Sequence, residues 1–470
     1  MPDDEPAVGD VAFMISVSTR HASCGRTALI LVVLATAAVF CSGAAGAETL
    51  DQAMARAYSS NPQLLASRQE LKRVDEQVAL ATAGWRPQAS VIAGGGYIKD
   101  LRDEEEAANT SQSSFSATDG PTAVLNLQVR QPIYNFSIVP RIRQAEQAVA
   151  AQRARLLAVE QDVLLRAAAA YLEVVRTDAF LRYAVDYEHS LRDSLATTRR
   201  QFDLGLVRNS SIAEAESRLA AASAQRIQAE GALASARGAY AVVIGAVPEA
   251  VAMPDMPPGI PASLEEAVDA SSSNPNLVAA TYAEKSADEG VDVSFGQKLP
   301  DFSLQAQVNP NSASALAVMT MPLYNGLLDP DVRSAKTLVG QRRQELEVQR
   351  RQAQQTALSA WQDLQTARGT IESLQVQGKA ARLAVEGLTR EYNLGLRTVS
   401  DLLNNQLQYF RAQVDLVGAQ RQMRLAAFQV LAAMGRLTAR DLALPVQPYD
   451  VNKHYEKVRG AWWGSGPDLE

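Results

Sequence analysis

The sequence predicts a mainly α-helical chain with a small β part, internally duplicated, in which long coiled-coil hairpins alternate with pairs of short strands. Three observations carry that reading. Residues 141–204 run for 64 positions without proline or glycine. Motifs recur at a spacing of 190 residues over much of the chain. Between the long segments lie stretches in which apolar and polar residues alternate with period two, as half-buried strands do.

In chain order the first element is a leader. Ala28 to Cys41 form an apolar run of 14, preceded by Arg20 and Arg26 and followed by Ala45-Gly46-Ala47. A basic flank, a short apolar stretch and an A-x-A step predict a signal peptide over 1–47, cleaved before Glu48. A bilayer-spanning helix needs roughly 20 apolar residues, which this run lacks. Phe40 stands before Cys41 where a lipoprotein signal would carry a small residue. Asp3, Asp4, Glu5 and Asp10 give the extreme N-terminus the wrong sign for a leader, which points to Met14 as the translation start. After residue 47 no apolar stretch approaches the length of a membrane helix, so a membrane role requires strands closed into a barrel.

Composition narrows the function. With 45 Lys+Arg against 52 Asp+Glu the net charge is −7, the wrong sign for a nucleic-acid binder. Cys24 and Cys41 are the only cysteines and both fall in the leader; the histidines are His21, His189 and His454. That inventory provides no Cys/His zinc site, thiol nucleophile or internal disulfide for the mature chain. No Gly-rich phosphate loop or nucleophile elbow appears, so neither an enzyme nor a cofactor is expected.

The duplication sets the domain plan. Asn61-Pro62 recurs at Asn274-Pro275 and Pro87 at Pro300, both 213 apart. Gln131-Pro132-Ile133-Tyr134-Asn135 recurs as Met321-Pro322-Leu323-Tyr324-Asn325, 190 apart. Phe202-Asp203-Leu204-Gly205-Leu206 recurs as Tyr392-Asn393-Leu394-Gly395-Leu396, and Gly245 as Gly435, at the same spacing. The difference of 23 between the two offsets locates one insertion in the polar stretch Lys99–Gly120. The expected order is a first repeat over 48–245, a proline-rich connector over 246–262, a second repeat over 263–437, and a tail over 438–470. The tail carries Pro445, Pro448, Gly460, Gly464 and Gly466 and is expected to be irregular and partly flexible. Trp462-Trp463 are then part of a loose end rather than a membrane anchor.

Each repeat contains a hairpin, near 137–245 and 327–437. A continuous helix over 141–204 would be about 96 Å long. Ile142, Val149, Leu156, Val163 and Ala170 recur every seven residues, and the stripe then shifts by four to Val174, Leu181, Leu195 and Phe202. A heptad seam with such a stutter describes a coiled coil that locally unwinds. Gly205 and Gly395 follow the long segments and are expected to turn the chain into a second helix. Tyr171 and Trp361, 190 apart, are read as packing residues.

Four strands are expected, near 88–98, 122–131, 301–308 and 314–321, joined by the long loop Lys99–Gly120 and the short loop Asn309–Ser312. Leu125, Leu127 and Val129 alternate with Asn126, Gln128 and Arg130; Phe302, Leu304, Ala306 and Val308 alternate with Ser303, Gln305 and Gln307. These lengths suit tilted membrane strands. Pro132 and Pro322 are expected to end their strands, where a missing N–H is tolerable. Known small barrels need about eight strands, and unpaired edges in lipid are costly, so several chains must share one barrel.

The leader, the duplication, QPIYN and MPLYN at the strand ends, FDLGL and YNLGL at the turns, and the run LRTVSDLLNNQLQYFRAQ resemble the TolC family of outer-membrane channel proteins, from about Leu50 to Leu442. The resemblance implies a homotrimer in the outer-membrane lipid. Its twelve-stranded barrel, four strands per protomer, would continue into a helical tunnel through the periplasm. It implies passive export of drugs, small molecules or polypeptides once docked to a periplasmic adaptor and an inner-membrane transporter of RND or ABC type. A periplasmic coiled-coil adaptor or structural protein is the alternative, disfavoured by two hairpins with two strand pairs.

The resemblance also implies a periplasmic gate. Tyr392, Arg397 and Asp401 match the family's tyrosine, arginine and first gate aspartate. Asn404 stands where some members carry a second aspartate. Ser211 replaces an aspartate that in some members pairs with the tyrosine and arginine, which leaves Arg397 with Glu214 or Asp401. Threefold symmetry would make Asp401 a ring of carboxylates, a device for cation preference. The alternative is that Asp401 decorates a solvated helix start, where its charge is also favourable.

Overall fold

The computed structural model describes residues 48–98, 120–248, 250–462 and 464. The expected leader, Met14, most of the Lys99–Gly120 loop and Trp463 lie outside the described residues. The chain from Glu48 onward forms one compact unit. Its helices are α1 (Leu50–Ser60), α2 (Pro62–Thr82), α3 (Ile138–Asp203), α4 (Asn209–Ile244), α5 (Leu264–Ala270), α6 (Pro275–Gly296), α7 (Leu328–Asn393), α8 (Val399–Ala433) and α9 (Lys453–Arg459). Its strands are β1 (Gln88–Ile98), β2 (Gly120–Tyr134), β3 (Asp301–Asn309) and β4 (Ser312–Thr320).

The two long helices, α3 and α7, have 66 residues each, about 99 Å at 1.5 Å per residue. Both end in the same device. Gly205 and Gly395 take φ of +73° and +76°, which a residue with a Cβ adopts only at a cost. Leu206 N–H then reaches back to Gln201 O at 2.9 Å and Leu396 N–H to Glu391 O at 2.9 Å, closing the last carbonyls. Helices α4 and α8 return alongside. On α3 the seam residues Val149, Leu156, Val163, Val174 and Leu195 are buried, while Phe202 is exposed beside the turn.

Two joints make columns out of separate helices. Asn61 caps α2 by accepting Gln63 N–H at 3.0 Å, and its amide donates to Val243 O at the end of α4 at 3.2 Å. Asn274 caps α6 by accepting Asn276 N–H at 3.0 Å and donates to Ala433 O at the end of α8 at 3.2 Å. Pro62 and Pro275 follow at the first helical position, where a missing N–H is harmless. Helix α8 thus runs end to end into α6, and α4 into α2.

The strands form one antiparallel sheet in the order β1-β2-β3-β4. Ser90 pairs with Gln128 and Val91 with Leu127; Gln128 pairs with Gln307 and Val129 with Ala306. Across β2 and β3 polar residues therefore gather on one face and apolar residues on the other, whereas β4 is apolar on both, with Leu316 opposite Gln305. Pro132 does not end its strand. β2 continues to Tyr134, and the pairing with β3 slips between Pro132 and Tyr134, a bulge that accommodates the missing donor. β4 stops at Thr320, so Pro322 lies in the connection to α7.

The largest buried cluster joins α1, α2, α3, α4 and α8 with the segment after α8. Tyr171 does more than pack there. Its hydroxyl lies 2.8 Å from Glu48 O and 2.9 Å from Ala252 O and accepts Ala252 N–H, tying the proline-rich connector to α3. Arg424 donates to Pro254 O at 2.6 Å from the other side. The segment after residue 438 departs from the loose end expected of it. Leu444 and Val458 are buried, α9 packs on α2, and the Arg86 guanidinium lies 5.0 Å from the Trp462 ring. Apolar anchors spaced among the prolines and glycines hold it down.

Candidate gate at the hairpin turns

The two LG turns meet in a second buried cluster that draws on α3, α4, α7 and α8. Tyr392, the last aromatic residue of α7, is 2% exposed. Its hydroxyl donates to Thr198 Oγ1 on α3 at 2.8 Å, since the Thr198 hydroxyl is itself directed to Ser194 O. Gln201 Nε2 reaches Tyr392 O at 3.4 Å. Tyr392 therefore joins the two hairpins, through Thr198 rather than through Ser211. The Ser211 N–H is bonded to Arg208 O as part of the turn into α4.

Arg397 takes neither of the partners left open by the sequence. Its Nε donates to Glu391 Oε2 at 2.9 Å, six residues back across the turn. That hydrogen bond and the Glu391 charge hold the guanidinium above its ordinary pKa, with Asp401 adding to the effect. Glu214 instead accepts from Ser400 Oγ at 2.8 Å. Loop geometry explains the difference: the tight turn at Gly395 folds Arg397 back over the end of α7.

Asp401 serves the start of α8. Thr398 Oγ1 accepts Asp401 N–H at 3.2 Å and donates to Asp401 Oδ2 at 2.8 Å, and Thr398 N–H reaches the same oxygen at 3.4 Å. This capping box fixes the carboxylate at the helix N-terminus. Asn404, one turn on, is exposed and accepts from Arg218 Nη2 of α4 at 2.9 Å. Tyr392, Arg397, Asp401, Asn404, Glu214 and Ser211 thus surround the two turns at Gly205 and Gly395, but no single ion pair links them.

Sequence reasoning missed the residues that bridge the hairpins. Ser190, Ser194 and Thr198 lie four apart on α3, and Gln406 of α8 inserts its amide between the first two. A hydroxyl every fourth residue was the available signal, because that spacing lines one helix face. Among the described residues no group of His, Cys, Asp and Glu could hold a metal ion, and no helix is long and apolar enough to cross a membrane.

Comparisons with known proteins agree with this architecture. A family model described as outer membrane efflux protein matches residues 53–246 and 267–436. The chain is 30% identical over 448 residues to outer membrane efflux protein BepC of Brucella suis biovar 1 (strain 1330), covering 92% of this chain and 95% of that protein. It is 22% identical over 427 residues to outer membrane protein TolC of Escherichia coli (strain K12), covering 84% of each. Among solved structures, the Campylobacter jejuni CmeC outer membrane channel matches with a TM-score of 0.73 at 14% identity, over 88% of this chain and 90% of that one. The chain belongs to the outer membrane efflux protein family and is a TolC-type channel protein of the outer membrane, with its helical part in the periplasm.

Proposed function

We propose that three copies of this chain pool their sheets into a twelve-stranded barrel and form the passive exit duct of a tripartite export system. The observation that carries the reading is the sheet itself. It has four strands, with β1 and β4 at its edges, and none of its pairings closes it on itself. Val91, Leu125, Leu127 and Met319 are exposed on the single chain and share one face of the sheet. An open edge in lipid leaves backbone groups unsatisfied, so the edges demand a neighbour. Three sheets of four strands exceed the minimum of about eight that small membrane barrels use.

The hairpin turns support docking to a periplasmic adaptor and, through it, an inner-membrane transporter of RND or ABC type. Leu204, Leu206, Leu394 and Leu396 are each at least 70% exposed, an apolar end on a long polar rod that favours a protein partner. The duct would pass drugs, small molecules or polypeptides according to the transporter. Asp401, held at the start of α8, would appear three times around the axis and favour cations.

Two measurements test this. Detergent-extracted protein should be a trimer, and it should make planar lipid films conduct. A water-soluble monomer that leaves such films silent would overturn the reading. Asp401→Ala should weaken block of the channel by divalent cations; unchanged block would return Asp401 to a purely capping role.

A further inference from the structure

The segment after α8 ends beside the sheet, and we propose that Trp462 and Arg86 form a seat there for the phosphodiester headgroup of a phospholipid in the periplasm-facing leaflet of the outer membrane. The inference rests on the reading of the sheet as the part that crosses that membrane.

The segment climbs toward the sheet. Helix α2 leads into β1 through Trp85, Arg86 and Pro87, and α9 follows it in the same direction. His454 faces Asp75 at 3.2 Å, Tyr455 packs beside Val78 and Ala81, and the Trp462 ring centre lies 5.0 Å from the Arg86 guanidinium carbon. Arg86 stands two residues before Gln88, where β1 begins its pairing with β2, and Gln131 Nε2 of β2 donates to Trp85 O at 2.9 Å. Trp462 is thereby carried to the helix-side rim of the sheet, and it is 60% exposed there. The segment also lies on the outward side. On the other side of the same helices a cleft is lined by Gln77 of α2, Gln152 of α3, Ser286 of α6 and Leu338 of α7. Four helices converge on it, so that side is concave and would face the axis of a ring of three chains. Helix α9 is left on the convex side, where lipid would surround the barrel.

The side chains at this rim suit a membrane boundary. The Tyr134 and Phe136 rings meet edge to face at 4.7 Å, and Leu323 and Tyr324 are each 92% exposed. Tryptophan settles at such a depth because its ring is apolar and its N–H is polar. The other cations of the rim have carboxylate partners: Arg130 is paired with Asp301, and Lys298 with Asp329. For the Arg86 guanidinium, the contact found among the described residues is the Trp462 ring. A guanidinium lying over an indole keeps its N–H groups for a second partner, and their fork fits two oxygens of one phosphate. Lys457, exposed on α9, adds charge of the same sign. An apolar ring beside a cation that lacks a carboxylate matches the two halves of a phospholipid, its acyl chains and its phosphate.

The test uses the processed trimer in nanodiscs of phosphatidylethanolamine and phosphatidylglycerol, doped with nitroxide-labelled phosphatidylcholine. The tryptophan emission that Trp462→Phe removes should be quenched by a nitroxide near the headgroup and spared by one at the end of the acyl chain. Hydrogen exchange of residues 453–462 reads the headgroup contact separately. Arg86→Gln should lower their protection roughly five-fold more in these nanodiscs than in neutral maltoside micelles, which is what one basic residue contributes at an anionic surface. Equal loss in both would leave Arg86 as a packing partner of Trp462 and overturn the headgroup site. Because Cys24 and Cys41 both precede Glu48, Leu127→Cys would supply the only thiol in a chain processed there, and a fluorophore on it reports whether the sheet meets lipid. If that fluorophore is quenched while the Trp462 emission ignores both nitroxides, Trp462 is covered by protein and the seat alone is overturned. A fluorophore that no lipid nitroxide reaches overturns the membrane reading of the sheet, and the seat with it.

Discussion

At the residue scale, two positions show how much rests on single atoms. Gly435 has φ +77°, and a Cβ built there would lie 2.5 Å from Ser273 O. The obstacle is backbone and cannot swing away. Gly435→Ala is expected to destabilise the chain by about 2 kcal/mol or more, the sum of left-handed strain and a displaced loop, read as a lower unfolding temperature. Asp75 on α2 is 1% exposed and faces His454 of α9 at 3.2 Å, with Glu76 beside it and Arg153 contributing charge from α3. Burial pushes its carboxyl up, and the hydrogen bond and charge of His454 pull it partly back. A carboxyl raised by folding contributes stability that is complete below its unfolded pKa and is lost as pH rises through its folded one. Docking of α9 should therefore loosen as pH climbs above the ordinary aspartate range of about 3.9. Asp75→Asn should flatten that slope, followed as hydrogen exchange of residues 444–462. A wild-type exchange pattern that ignores pH would refute the assignment.

At the element scale, the long helices were legible because proline and glycine are absent from 141–204 and the apolar stripe holds its period. The end of β2 was not legible. Proline reads as a strand stop, and only the pairing with β3 reveals the bulge that carries the strand on to Tyr134. The bridge between the hairpins was hidden for a related reason: serine and threonine at helical spacing look like a solvated face until a partner helix covers them. The tail misled in the opposite direction, since its prolines and glycines masked Leu444, Tyr449 and Val458 as anchors. The Asn-Pro pairs were visible as repeats, but their role needed the second helix end. Asn274→Ala should cost about 1–2 kcal/mol, typical of a lost N-cap, and the loss should appear as faster exchange at both the start of α6 and the end of α8. Faster exchange at α6 alone would mean that the joint is not shared.

At the scale of the whole molecule, the register of the sheet makes adjacent residues unequal. Leu127 lies opposite Val91, and Gln128 lies opposite Ser90. If the apolar face meets lipid, Leu127→Arg should cost about 2–4 kcal/mol near the bilayer midplane and reduce the trimer recovered from outer membranes. Gln128→Arg, one residue along on the opposite face, should be recovered at wild-type levels. Equal yields would show that the two faces do not meet different solvents. Family membership was legible in the order of the motifs, whereas the partners of Arg397 and Tyr392 were not, because they depend on how the five-residue turn between α7 and α8 folds back on its own helix.

The end-to-end joints at Asn61 and Asn274 have an electrical consequence. Each sets the carbonyl pole of one helix against the amide pole of the next, so the opposing partial charges offset one another inside the wall. Each column then behaves as one long rod whose uncompensated poles sit only at its far extremities, and in the duct proposed above a charged solute passing the joints would meet no fixed half-charge there to detain it.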